Sequence, residues 1–127
     1  MYFGNSNDWH MKRKKNETVF LKRGGQTLPL DYQKLRKAAL VLRALNHKLR
    51  RRIIELLESE GPLTVTDIYI KLRLEQSVAS QHLAIIRRVK VVNTKRQGKY
   101  IYYSLNRERI EQIADLVARL AGEEEEE

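Results

Sequence analysis

The chain of 127 residues contains no cysteine, which excludes disulfides, thiolate catalysis and thiolate-bound metals together. It has no run of 18 apolar residues, so no transmembrane helix is expected. Lys12, Arg13, Lys14 and Lys15 stand near the N-terminus without an apolar stretch behind them. A secretory signal needs that stretch, so cytoplasmic residence is expected. Histidine is scarce, with three residues at His10, His47 and His82. No Ser/His/Asp set, paired-carboxylate cleft or glycine-rich phosphate loop stands out, so an enzyme is not expected.

What is present is enough for one domain: 42% apolar residues together with 32% charged residues. The net charge is +9, and it is unevenly placed. Residues 1–28 carry six Lys/Arg against two Asp/Glu, and residues 29–122 carry nineteen against nine. Glu123 to Glu127 then offset five of those positive charges. The folded part is thus more basic than the whole chain. Such a balance favours a polyanionic partner, because phosphates release their counterions when cations replace them.

Patterning divides the chain into a flexible basic arm over residues 1–30, a folded domain over 31–122 and an acidic tail over 123–127. Residues 18–21 could form a short strand, but no partner strand is visible. Asp31 can cap a first helix whose apolar stripe includes Leu35, Ala38, Ala39, Leu42 and Leu45. Asn46 is read as the cap of a second helix, with Leu49, Ile53, Leu56 and Leu57 inward and Gly61-Pro62 at its end. Thr64 or Thr66 starts a short third helix that ends at Leu72. A fourth runs from near Glu75 to near Val89. The period then changes to two around Gln97-Gly98, as in a hairpin. Asn106 caps a last helix.

Two short helices followed at once by a basic hairpin form the plan of a winged helix-turn-helix. Wound at about 100° per residue, the fourth helix places Gln76, Ser77, Ser80, Gln81, Ala84, Arg87 and Arg88 within an arc of about 140°. Val78, Ala79, His82, Leu83, Ile85 and Ile86 fill the other side. Short hydrogen-bonding side chains can reach base edges, and arginine can grip guanine or phosphate. An ordinary wet helix face is usually richer in Glu and Lys, which have higher helix propensity than serine. At the hairpin, Lys95, Arg96 and Lys99 flank Gly98 and can reach phosphates.

Residues from about Leu45 to Leu105 resemble the ArsR/SmtB family of winged-helix transcription regulators. The carrying segments are Arg50-Arg51-Arg52-Ile53-Ile54-Glu55-Leu56-Leu57, Leu63-Thr64-Val65-Thr66-Asp67-Ile68, Gln76-Ser77-Val78-Ala79-Ser80-Gln81-His82-Leu83 and Arg96-Gln97-Gly98-Lys99-Tyr100-Ile101-Tyr102-Tyr103-Ser104-Leu105. The resemblance implies a mainly α fold of about five helices with a two-stranded wing, and a homodimer through the first and last helices. Leu35, Leu42, Ile110, Ile113, Val117 and Leu120 are the candidate interface residues. In the last helix, Ile110, Ile113, Ala114, Val117, Leu120 and Ala121 fall in a stripe of about 120°.

The chain departs from the family where metals are sensed. Thr64-Val65-Thr66 stands in place of a Cys-Val-Cys site, and hydroxyls are poor ligands for soft metals. The last helix has Arg107 and Arg109 and no histidine, so neither of the family's metal sites is expected. Lone His82 reads as a packed or hydrogen-bonded residue. His47-Lys48-Leu49 replaces a common Asp-Pro-Thr. Lys90 replaces a glycine after the fourth helix, so that turn is either strained or differently built. The expected function is sequence-specific DNA binding by a repressor on an inverted repeat. Ser77, Ser80 and Gln81 would touch bases, with Gln76 near the helix start, and Arg87, Lys95, Arg96 and Lys99 would hold phosphates. No cofactor, metal or membrane partner is expected, and no effector is assigned. The alternative is a winged helix used for protein assembly, docking an acidic partner.

Overall fold

The computed structural model describes residues 17–122. The chain divides into two compact units, one ending at Leu42 and the other beginning at Arg43, rather than at the boundary near residue 30 that patterning suggested. The basic cluster at residues 12–15 and the acidic tail lie outside the described residues.

From residue 18 on, the first unit is a hairpin where a flexible arm was expected, and the rest of that arm lies outside the described residues. β1 (Thr18–Arg23) and β2 (Gln26–Asp31) form an antiparallel hairpin. Its two turn residues, Gly24 and Gly25, both have positive φ, at 57° and 81°. That is the type I′ geometry whose twist matches the flanking strands, and glycine adopts it without penalty. The partner strand was hidden because Pro29 and Asp31 have low strand propensity. β2 runs straight into α1 (Tyr32–Leu45). Asp31 caps this helix as expected, its Oδ1 accepting from the backbone N–H groups of Gln33 (3.0 Å) and Lys34 (3.3 Å).

The second unit contains α2 (Lys48–Glu60), β3 (Leu63–Thr64), α3 (Val65–Leu72), α4 (Gln76–Arg88), β4 (Val92–Gln97), β5 (Tyr100–Leu105) and α5 (Arg107–Leu120). This is a winged helix-turn-helix. The wing is a three-stranded antiparallel sheet in the order β3-β5-β4, because Leu63 and Thr64 pair with Tyr103 and Tyr102. Two residues are too few to show alternation, so β3 was not visible in the pattern. The core consists of Ala44, Ile53, Leu57, Leu63, Ile68, Ala79, Leu83, Ile86, Val91, Val92 and Ile113, all buried. Each helix contributes its inward stripe, and the sheet closes one side through Leu63 and Val92.

Caps set the helix boundaries. His47, not Asn46, caps α2, its Nδ1 accepting from the Leu49 N–H at 3.1 Å. Thr64 rather than Thr66 starts α3, in a reciprocal capping box with Asp67. Asn106 caps α5 through the Arg109 N–H, and its Nδ2 donates to the Lys90 carbonyl at 3.0 Å. One side chain thus starts the last helix and fixes the end of the fourth.

Candidate nucleic-acid interface

α4 is clamped on one side and bare on the other. Ala79, Leu83 and Ile86 are fully buried, and Val78, His82 and Ile85 are half-buried. Gln76, Ser77, Ser80, Gln81, Ala84, Arg87 and Arg88 are all exposed. None of the four Gln and Ser side chains on this face is committed to a hydrogen bond among the described residues. The face therefore carries free amides and hydroxyls at its start and two guanidinium groups in its last turn. That is the donor and acceptor set that base edges and phosphates take.

Left-handed residues stand in the turns before and after α4. Arg73 (φ 58°) ends α3, with the Leu74 N–H bonded to the Tyr69 carbonyl at 2.9 Å. Lys90 (φ 69°) follows α4, with its N–H on the Arg87 carbonyl (2.9 Å) and the Val91 N–H on the Ile86 carbonyl (3.0 Å). This is a Schellman ending, completed by the fully buried pair Ile86 and Val91. Lys90 makes the turn that glycine would make, and bears the strain.

The wing tip follows the rule for two-residue hairpins. Gly98 has φ 64° and Lys99 does not have positive φ, which is the type II′ pattern. Lys95, Arg96 and Lys99 are exposed, but they do not form one patch. Strand alternation sends Lys95, opposite Tyr102, to one face and Arg96, opposite Ile101, to the other. Arg96 bends toward the tip, its Nη1 donating to the Gly98 carbonyl at 3.3 Å. The Lys99 ammonium lies 5.5 Å from the Tyr100 ring centroid, within cation–π reach. On the Lys95 face, Pro62, Lys95, Gln97, Tyr102 and Ser104 line a groove of about 390 Å³.

One cluster was not legible from sequence. The His47 and His82 rings lie 4.7 Å apart between centroids. Arg50 Nε donates to His82 Nδ1 at 3.1 Å, while its Nη1 donates to the Ala44 carbonyl at 2.7 Å. Burial, then the neighbouring His47 and Arg50, hold His82 below its ordinary pKa of 6.5. His82 is therefore the hydrogen-bonded residue its inward position suggested. Its partners are 35 and 32 positions away and lay outside any local pattern.

The candidate interface residues on the terminal helices separate by burial. Ile113 is 8% exposed and belongs to the core of its own chain. Its place in the apolar stripe of α5 did not distinguish inward from outward packing. Ile110 is half-buried, whereas Val117 and Leu120 are exposed. On α1, Leu35 is exposed and Leu42 half-buried.

The positions where the family's metal ligands would stand do not fit a metal. The Thr64 hydroxyl is occupied as a helix cap. Arg107 pairs with Glu58 at 2.6 Å, and Arg109 Nε donates to the Val89 carbonyl at 3.1 Å. On the last helix these side chains are cations tied into the fold, which repel a metal rather than bind it. Among the described residues, no group of three or more His, Cys, Asp or Glu side chains comes together.

Residues 47–94 match the family model described as bacterial regulatory protein, arsR family. The transcriptional repressor PagR of Bacillus anthracis is 39% identical over 88 residues, covering 69% of this chain and 88% of that protein. Its crystal structure superposes with a TM-score of 0.55 at 40% identity, covering 68% of this chain and 98% of that one. The transcriptional activator HlyU of Vibrio cholerae is 33% identical over 96 residues, covering 72% of this chain and 88% of that protein. The fold is also that of a homodimeric winged helix-turn-helix DNA-binding domain from Mycobacterium bovis. That structure has a TM-score of 0.60 at 24% identity and covers 76% of this chain and 87% of its own. With the winged helix in place and most of each relative's length matched, the chain belongs to the ArsR family of transcriptional regulators.

Proposed function

We propose that this regulator is a repressor that binds an inverted-repeat DNA site as a homodimer. The observation that carries the reading is the exposed face of α4, from Gln76 to Arg88, whose polar side chains are free while its other side is buried. Ser77, Ser80 and Gln81 touch bases, with Gln76 near the helix start. Arg87, Lys95, Arg96 and Lys99 hold phosphates. Because Lys95 and Arg96 lie on opposite faces of the wing, one faces the groove entered by the wing and the other the flanking backbone. Leu35 of α1 and Val117 and Leu120 of α5 are offered to a second copy. Two-fold symmetry then sets the half-sites about one helical turn apart, roughly 34–36 Å. PagR and the SdpR protein of Bacillus subtilis are named repressors, which supports repression by occlusion of a promoter. HlyU is named an activator, and activation is the second reading.

Selection of binding sites from a random duplex pool tests the proposal. An enriched inverted repeat is expected, and placing that repeat over a promoter should lower transcription in vitro. Gln81→Ala should relax the preference at one base position in each half-site by about 1–3 kcal/mol. Failure to enrich any site would sink the reading and favour a winged helix that docks an acidic protein.

A further inference from the structure

We infer that the N-terminal hairpin is a docking surface for the same segment of a second copy, so that the dimer is joined through residues 18–42 as well as through α5. The inference rests on the homodimer proposed above. The antiparallel register pairs Val19 with Leu30 and Leu21 with Leu28. Alternation puts all four on one face, which Arg23 and Gln26 close at the turn. Their exposures are 42% for Val19, 50% for Leu21, 64% for Leu28 and 39% for Leu30. A two-stranded hairpin is at best marginally stable in water unless its apolar face is covered. Four aliphatic side chains in cross-strand pairs are a face made for such a cover.

The hairpin is also fixed to its helix rather than hinged on it. The Tyr32 N–H donates to the Glu17 carbonyl at 3.1 Å. Asp31 caps α1 from the end of β2, and Arg36 of α1 pairs with the Glu17 carboxylate. The unit that presents the hairpin also presents Leu35 and Leu40, which are 48% and 55% exposed. A specific interface removes about 800 Å² from each partner, so apolar area beyond the exposed leucines of α1 favours a stable dimer. The hairpin adds apolar area within the same unit. The occupant is a second copy because the four aliphatic side chains at the centre of the face carry no charge for an acidic partner. A two-fold interface needs only a surface complementary to itself.

The absence of cysteine makes the test direct, since a single introduced thiol is unique in the 127-residue chain. Leu28→Cys keeps a small apolar residue on the face, and Thr27→Cys places the thiol next to it on the opposite side. After mild oxidation, the Leu28→Cys protein should run as a disulfide-linked dimer under non-reducing conditions. The Thr27→Cys protein should stay largely unlinked, and the linked dimer should still bind the selected DNA. In sedimentation, Leu21→Ser with Leu28→Ser should weaken the unmodified dimer by about tenfold or more. If the wild-type protein is a dimer but Leu28→Cys links no better than Thr27→Cys, the hairpin is not the interface and the homodimer stands. If the protein is monomeric on its DNA, the homodimer fails and this inference with it.

Discussion

Lys90 holds a left-handed backbone where most chains use glycine, and every other part of that ending is in place. Two backbone hydrogen bonds and the buried pair Ile86 and Val91 force the turn, so the side chain bears a conformational penalty without altering the geometry. A non-glycine residue in this region costs roughly 1–2 kcal/mol, while glycine loses part of that gain to its greater freedom in the unfolded chain. Lys90→Gly should therefore raise stability by about 1 kcal/mol, read as a higher urea midpoint with an unchanged slope. An unchanged or lower midpoint would mean that the turn carries no strain. Only the identity of this residue was legible in the sequence. The two competing outcomes, a strained turn or a different one, needed the φ angle to separate them.

At the scale of elements, α2 and α4 meet through a contact in which His82 is the hydrogen-bond acceptor. His47 Nδ1 accepts the Leu49 N–H in the first turn of α2, and His82 Nδ1 accepts from Arg50. A protonated nitrogen accepts nothing, so protonating His82 removes its bond from Arg50 and sets a second cation beside that guanidinium. His82 has its pKa lowered in the folded protein, so the unfolded chain takes up the proton first. Stability from this group is complete above about pH 6.5 and is lost as pH falls below that value toward the folded pKa. Urea midpoints should fall across that window. His82→Gln, whose amide oxygen can accept from Arg50, should flatten the fall. A wild-type midpoint that does not change below pH 6.5 would show that the cluster does not couple protonation to folding.

Elements differ in how far the sequence reveals them, for physical reasons. The bare face of α4 was legible because 3.6-residue periodicity is local and this helix obeys it on both sides. β2 was not, because its residues enter a strand through the Gly24-Gly25 turn rather than by propensity. The apolar stripe of α5 was ambiguous in the same way at Ile113, since periodicity tells which residues share a face but not what covers it. The contact between His47 and His82 joins two helices, and no window of sequence contains both.

For the molecule as a whole, charge governs how tightly any duplex is held, and salt reports how many cations take part. Each phosphate neutralised on duplex DNA contributes about −0.9 to the slope of log affinity against log salt. Lys95 and Arg96 are both exposed and on opposite faces of the wing, so their contributions should be separable. In a homodimer every contact occurs twice, so Lys95→Ala should flatten the slope by about 1.8 on a full inverted repeat. On a single half-site occupied by one copy, the same substitution should flatten it by about 0.9. It should weaken binding to all sequences alike, whereas Gln81→Ala should change the ranking of sequences and leave the slope alone. An unchanged slope for Lys95→Ala would remove that residue from the phosphate contacts. Equal changes on full and half sites would argue against two copies gripping the repeat. The same titration thus measures both the role of the wing and the number of chains on the DNA.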